Sequence, residues 1–332
     1  MKHSLQGKKV LYIAPRFFGY ESEIRDELTK RGAHVDFLLD RPFDTPLLKA
    51  VTRVSRKLII GAADRFYETQ LEGLKGQDYD YVFVINGQTL SSVTLERWHR
   101  YFPRAIFVLY MWDSFGNRRW AVDNLNYFDV KFTFDREDAK EYGINFRPLF
   151  FSIGFETASQ AAIEWDISFI GTAHTDRYDI ASKVAAALGD NFKTHWYLFL
   201  QASWVYWLYK FTNRSFREAK FADFKFSPLT KSDVQSIFNA SGCILDIEHP
   251  KQTGLTMRTL ETLGARKKLV TTNKSVLEYD FFDERNICLV DRLAPSIPSD
   301  FLTTPYRDID VSIYNSYRLE GWMDEIFQVA QR

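Results

Sequence analysis

Between Cys243 and Asn273 the chain reads CILDIEHPKQTGLTMRTLETLGARKKLVTTN, and its charged side chains fall where a phosphate or a sugar hydroxyl would need them. Asp246 and Glu248 end an apolar, β-rich run just before the turn dipeptide His249-Pro250. A loop at the carboxyl end of a strand is where open α/β sheets bind ligands. Thr253 then supplies a predicted N-cap and Gly254 a small residue, and Leu255, Thr256, Met257, Arg258 and Leu260 begin the turns of a helix. A helix start presents backbone N–H groups to an anion. Arg258 and Glu261 stand three residues apart, so one face offers a cation and an acceptor, although most such pairs are solvated ion pairs. Gly264 is expected to close the helix before KKLVTTN resumes as a buried strand.

Other strand ends carry further candidates. FIGTAHTDR puts Gly171, Thr172 and His174 just past a predicted strand, with Arg177 entering a helix; small residues and a cation suit a phosphate, and an ordinary capped turn is the alternative. Ser227-Pro228-Leu229 follows another strand and offers backbone groups to a nucleobase. In the first half, Phe18, Gly19 and Tyr20 occupy the first strand-to-helix loop and Asn86 ends a later strand; both positions would line a cleft. Asp113 ends AIFVLYMWD, where apolar walls would raise its pKa toward that of a general base; an N-cap aspartate is the alternative. Asp78-Tyr79-Asp80 precedes a buried strand instead of ending one and reads as solvated. Six histidines and two cysteines show no metal-ligand spacing, so no metal is expected.

These residues need strands and helices to hold them. The 332 residues permit two domains of ordinary size, and 26% charged with 45% hydrophobic residues describes a globular chain. Forty-three basic residues match forty-three acidic ones, so no global field points to nucleic acid. KKVLYIAP, a helix over 21–31 and AHVDFLLD form a βαβ unit, which requires a parallel sheet. A helix over 46–71 and the strands YDYVFVIN, AIFVLYMWD, KFTFD and NFRPLF continue the first half. DISFIGTAH, a helix over 177–188, HWYLFLQ, a helix near 232–240, CILDI, KKLVTTN and NICLVD make the second. The expected division is 1–155, 156–311 and a terminal helix 312–332. The amino-terminal run leads directly into a strand without a small-residue cleavage site, and two cysteines in predicted strands fit the cytosol. GxGxxG after the first strand and GxxxxGK[ST] are absent, which demotes nicotinamide enzymes and P-loop kinases.

The segment from Gly254 to Asn273 resembles the donor-binding signature of GT-B glycosyltransferases: a glycine loop, a helix carrying a carboxylate, a second glycine and a short apolar strand, here Gly254, Glu261, Gly264 and Leu269-Val270. The spacing of Arg258 and Glu261 is most similar to the spore-maturation and lipopolysaccharide- or capsule-biosynthesis branch, and Glu248 loosely matches the family's more N-terminal glutamate. The resemblance implies an α/β fold of two Rossmann-like domains facing a cleft, with the last helix crossing back to the first domain. It further implies that Glu261 binds the ribose of a nucleotide sugar, that Arg258 and the helix N-terminus hold the diphosphate, that Gly171, Thr172, His174 and Arg177 lie near the phosphates, and that Phe18, Gly19, Tyr20 and Asn86 line the acceptor side of the cleft; with no metal-ligand spacing in the chain, helix dipole and arginine would neutralise the leaving diphosphate in place of a metal. If Asp113 is the base, the transfer inverts the anomeric centre. A nucleotide-sugar epimerase and an inactive GT-B binding module are the rival readings.

Two segments bear on the acceptor. His195 to Phe226 interleaves aromatics with Lys210, Arg214, Arg217, Lys220 and Lys225, the composition of a membrane-interface binder or of a core strand followed by core packing. Lys49 to Arg65 reads as a basic amphipathic helix. The apolar runs fall short of the ~20 residues that span a bilayer. Together they favour a lipid-linked or anionic glycan acceptor, at the inner face of a membrane, and the family resemblance adds a surface polysaccharide.

Overall fold

The computed structural model describes residues 4–40, 57–74, 76–156, 162–250 and 252–331, without the side chains of 57–59. The chain forms two compact units, one of residues up to Pro148 together with those from Leu319 on, the other Leu149–Arg318. The described residues of each unit build one six-stranded sheet.

In unit 1 the strands are β1 (Lys9–Ala14), β2 (His34–Leu39), β3 (Tyr81–Ile85), β4 (Ile106–Met111), β5 (Val130–Thr133) and β6 (Asn145–Phe146). They are parallel throughout, in the order β2-β1-β3-β4-β5-β6. Helices α1 (Tyr20–Lys30), α2 (Lys57–Gly73), α3 (Ser92–Tyr101) and α4 (Arg136–Tyr142) connect them. A parallel sheet is covered on both faces, which is why YVFVI of β3 is buried at every position. The edge strand β2 instead alternates between exposed and covered side chains. The predicted helix over 46–71 is α2 from Lys57 onward; residues 46–56 lie outside the described set.

Unit 2 runs β7 (Trp165–Thr172), α5 (Arg177–Leu188), β8 (Thr194–Phe199), α6 (Ser203–Thr212), β9 (Phe224–Lys225), α7 (Lys231–Asn239), β10 (Ser241–Asp246), α8 (Met257–Gly264), β11 (Lys268–Thr271), β12 (Ile287–Leu289), α9 (Ser299–Thr303) and α10 (Val311–Ser316). Its strands are again all parallel, ordered β12-β11-β10-β7-β8-β9.

The expected single terminal helix is two, α10 and α11 (Leu319–Ala330), separated at Tyr317-Arg318. α11 belongs to unit 1: Trp322, Met323, Ile326 and Phe327 are fully buried, with Trp322 edge-on to Tyr110 at 4.7 Å and Phe327 edge-on to Tyr81 at 5.2 Å. Arg31, at the end of α1, bonds to Glu27, Asp324 and the Glu320 carbonyl, fastening α11 to the first βαβ unit. The last helix therefore crosses back to complete the amino-terminal unit.

Candidate functional site

In unit 2 the chain steps outward from β7 through β8 to β9 and, in the other direction, from β10 through β11 to β12. Adjacent β7 and β10 therefore send their connections apart, and at such a switch point the carboxyl ends of the strands form a ligand site. The loops that follow these two strands carry most of the residues singled out in the second half.

Asp246, the last residue of β10, is fully buried and organises this edge. Its Oδ1 accepts from Arg258 Nη1 at 3.1 Å, and its Oδ2 accepts from the hydroxyls of Thr256 at 2.6 Å and Thr259 at 2.7 Å. Arg258 also lies 5.6 Å from the centre of the Phe169 ring. A methyl group added at Gly171 would sit 2.9 Å from that ring and 3.4 Å from Arg258 Nη2, so the glycine makes room for both. Gly171 and Thr172 are the last two residues of β7, not the first of the loop. A buried carboxylate paired with a guanidinium and two hydroxyls fixes the cation in place, because removing either partner would strand a charge in a poorly hydrated site.

Arg177, the first residue of α5, reaches back across the switch point: Nε donates to the Ile247 carbonyl at 2.8 Å and Nη1 to the Thr172 carbonyl at 3.3 Å. Its Nη1 is 3.2 Å from His174 Nε2. Burial and the neighbouring Arg258 lower the Arg177 pKa to about 10. Burial, then Arg177 and His249, lower that of His174 to about 4 against the opposing pull of Asp176. His174 is thus a neutral imidazole among arginines, two of which are paired with Asp246, Asp176 and Glu248. Glu248 is buried and accepts from Arg292 and Thr272; Arg292 also donates to Asp176 Oδ2 at 2.7 Å.

The N-cap of α8 is Thr256, not Thr253: its Oγ1 accepts from Thr259 N at 3.2 Å, and Leu255 precedes the helix. Thr253 and buried Gly254 lie in the preceding loop, their carbonyls held by Asn273 Nδ2 at 3.3 Å each. Glu261, on the second turn, is buried. Gly264 ends α8, as expected. An added methyl there would strike the Phe151 ring at 2.6 Å, and Arg266 adopts the left-handed conformation, with φ 51°. The Ser227 carbonyl accepts from Tyr197 Oη at 2.7 Å.

Unit 1 has its own switch point, between β1 and β3. Phe18 and Gly19 follow β1, with Tyr20 buried at the start of α1; Phe17 and Phe18 are about half exposed, and Phe17 packs 6.1 Å from Trp112. Asn86 follows β3, and its Oδ1 accepts from Trp112 N at 3.0 Å. Asp113 has polar neighbours in place of the expected apolar walls: its Oδ2 is 2.8 Å from Arg118 Nε and its Oδ1 accepts from Asn117 at 3.1 Å. The carboxyl whose pKa burial raises, to about 6, is Asp138, which accepts from Phe115 N at 2.8 Å. Asp80 bonds to Lys8 and to the Lys9 backbone, consistent with a structural role.

Sequence reasoning missed Arg292 and Asp138. The strand-end rule applied to NICLVD reaches Arg292, three residues beyond β12. No spacing motif marks Asp138. Among the described residues no group of three or more His, Cys, Asp or Glu side chains is arranged to hold a metal.

The architecture recurs in solved structures along nearly the whole chain. A glycosyltransferase from Rickettsia africae ESF-5 superposes with a TM-score of 0.59 at 11% identity, over 98% of each chain. HepE of Anabaena, solved with UDP-glucose, superposes with a TM-score of 0.55 at 10% identity, over 97% of this chain and 99% of that one. The fold is that of GT-B glycosyltransferases. No family model and no curated protein matches the sequence. Within the GT-B fold, the switch point of unit 2 carries the arginines and that of unit 1 the half-exposed Phe17 and Phe18.

Proposed function

We propose that the protein is a glycosyltransferase that takes its sugar from a nucleotide donor held by unit 2. The observation that carries the reading is the gathering of Arg177, Arg258, Arg292 and neutral His174 at the β7/β10 switch point, against buried Asp246 and Glu248. A diphosphate has the charge this arrangement accommodates. Arginine forks bind its oxygens in a planar geometry, and the N-terminus of α8 adds backbone N–H groups. In this reading the same cations stabilise the leaving diphosphate without a metal, and buried Glu261 accepts the ribose hydroxyls. HepE was solved with UDP-glucose, which supports a nucleotide sugar as donor. The acceptor is a surface polysaccharide or lipid-linked glycan, with transfer at the cytoplasmic side of a membrane. Its hydroxyl proton goes to a carboxylate of unit 1, for which Asp113 and Asp138 are the candidates.

The test is a thermal-shift and calorimetric screen of the whole chain against UDP, GDP, CMP, dTDP and ADP and their sugars, with and without EDTA. One nucleotide should stabilise the protein, in EDTA as well, and Glu261→Ala should weaken it by about 1–3 kcal/mol. Failure of every nucleotide to bind would sink the transferase reading and favour a binding module. Loss of binding in EDTA would sink its metal independence.

A further inference from the structure

The run from His195 to Phe226 divides in the structure. Its first part is β8, where Trp196 packs against the unit 2 core; its second part is α6 and the turn that follows. On α6, Trp204, Trp207, Leu208 and Phe211 are 65%, 53%, 47% and 83% exposed. Their spacing of three, four and seven residues from Trp204 draws one stripe along the helix. Phe221, 6.5 Å from Trp207, widens it.

We propose that this stripe docks on an anionic lipid surface. The helix is held rigidly from behind: Val205 and Tyr206 are buried, Tyr206 Oη donates to the Ala219 carbonyl at 3.0 Å, and Lys210 Nζ donates to the carbonyls of Arg217 at 2.6 Å and Ala219 at 2.7 Å. The aromatics thus stand outward on a fixed platform, and a soluble surface seldom leaves such a patch bare. Exposed Arg214, Arg217, Lys220 and Lys225 border it against Glu218 and Asp223, and Asp223 is engaged by Tyr178 at 2.7 Å. The chain as a whole is neutral, so this basicity is local. Indole rings beside cations suit the headgroup boundary of an anionic leaflet. A second copy of the chain fits poorly, since pairing the same face with itself sets the same cations against each other.

The stripe is also tied to the candidate site. Asn213, which caps the end of α6, donates from Nδ2 to the Thr175 carbonyl at 3.0 Å. Thr175 lies between His174 and Arg177 and holds a left-handed φ of 57°. Docking would keep this loop beside the lipid surface, where a lipid-linked acceptor is presented. The docking itself does not depend on the transferase reading.

The experiment is sedimentation of the full chain with phosphatidylcholine vesicles, with and without phosphatidylglycerol, across a salt series. The wild type should bind the anionic vesicles, and less as salt rises. Trp204→Ser/Trp207→Ser/Phe211→Ser should lower the partition coefficient by ~10-fold or more. Arg214→Gln/Arg217→Gln/Lys220→Gln should abolish the preference for anionic lipid. If the aromatic triple variant loses its melting transition, Phe211→Ser alone, at the most exposed position, should still weaken binding. The proposal is overturned if the wild type stays in the supernatant with anionic vesicles, or if folded aromatic variants sediment as well as the wild type. It is equally overturned by a wild-type dimer that the aromatic variant converts to monomers, which would make a second copy the occupant.

Discussion

The switch points of the two sheets share a topology and differ in chemistry. In unit 2, between β7 and β10, the edge is arginine-rich: Arg258 is fixed by buried Asp246, Arg292 by buried Glu248, and Arg177 by two backbone carbonyls. In unit 1, between β1 and β3, it presents Phe17 and Phe18, and Asn86 spends its side-chain oxygen on the Trp112 backbone. Backbone strain nonetheless marks both. Of the four described non-glycine residues in the left-handed region, Phe18 and Asn86 lie at the first switch point and Thr175 at the second. Strained residues persist where the surrounding structure over-determines them, commonly at functional sites. The two sheets thus share the place and differ in the side chains that occupy it: guanidinium groups in unit 2, phenyl rings in unit 1.

The contrast breaks most readily at the two aspartates. Asp246→Ala removes a fully buried carboxylate from one guanidinium and two hydroxyls, and should cost about 3–5 kcal/mol in urea unfolding. Asp113→Ala removes a partly exposed pair with Arg118 and should cost less than about 1 kcal/mol. Equal losses would mean that the strand ends of the two sheets are not organised differently.

Next in size is Arg292→Gln. It removes a cation that bridges Asp176 and Glu248, and should weaken nucleotide binding by about 10- to 100-fold, whereas Phe17→Ala should leave it unchanged. Calorimetric titration separates the outcomes. A larger effect from Phe17 would move the nucleotide to unit 1.

A smaller effect concerns protons. The folded His174 titrates near 4 against an ordinary 6.5, so between these values the unfolded chain holds a proton that the folded one lacks. Its contribution to stability is therefore present above pH 6.5 and is lost as the pH falls toward 4. A bound diphosphate would raise the His174 pKa, so nucleotide binding near pH 5 should take up protons, and less in His174→Asn. Titrations in buffers of unequal ionisation enthalpy measure this. No uptake at that pH would place the phosphates away from His174.

Much of this contrast was legible in the residues. Parallel strands covered on both faces read as unbroken apolar runs, so YVFVI and CILDI announced their burial, and the ends of those runs announced Asn86 and Asp246. What escaped depends on contacts between distant segments. TGLT offers two threonines as caps, and the Thr256 hydroxyl is the one that donates to Asp246, ten residues earlier. Gly264 read as the end of the helix, which it is, but what requires a glycine there is the Phe151 ring, more than a hundred residues away. An alternating rhythm of strands and helices does not state the order of strands in a sheet, so neither switch point could be located before the topology was known. Asp113 and Asp138 show the same limit: which carboxylate is buried depends on how α4 meets the loop after β4, where Asp138 accepts from Phe115 N, and nothing in their spacing records it.

The gentlest perturbation addresses whether the strain at the first switch point has a use. Phe18 holds φ at 52° with its ring half exposed, so neither burial nor backbone preference accounts for a phenylalanine there. Glycine adopts that conformation freely but is also more flexible when unfolded, so Phe18→Gly should change stability by no more than about 1 kcal/mol. If the ring serves as a platform for the acceptor, the variant should raise the KM for the acceptor while donor affinity, set in unit 2, stays as it was. Unchanged acceptor kinetics would reduce Phe18 to a turn residue and leave Phe17 and Trp112 to define the apolar face. A fall in donor affinity would contradict the division of labour between the two switch points.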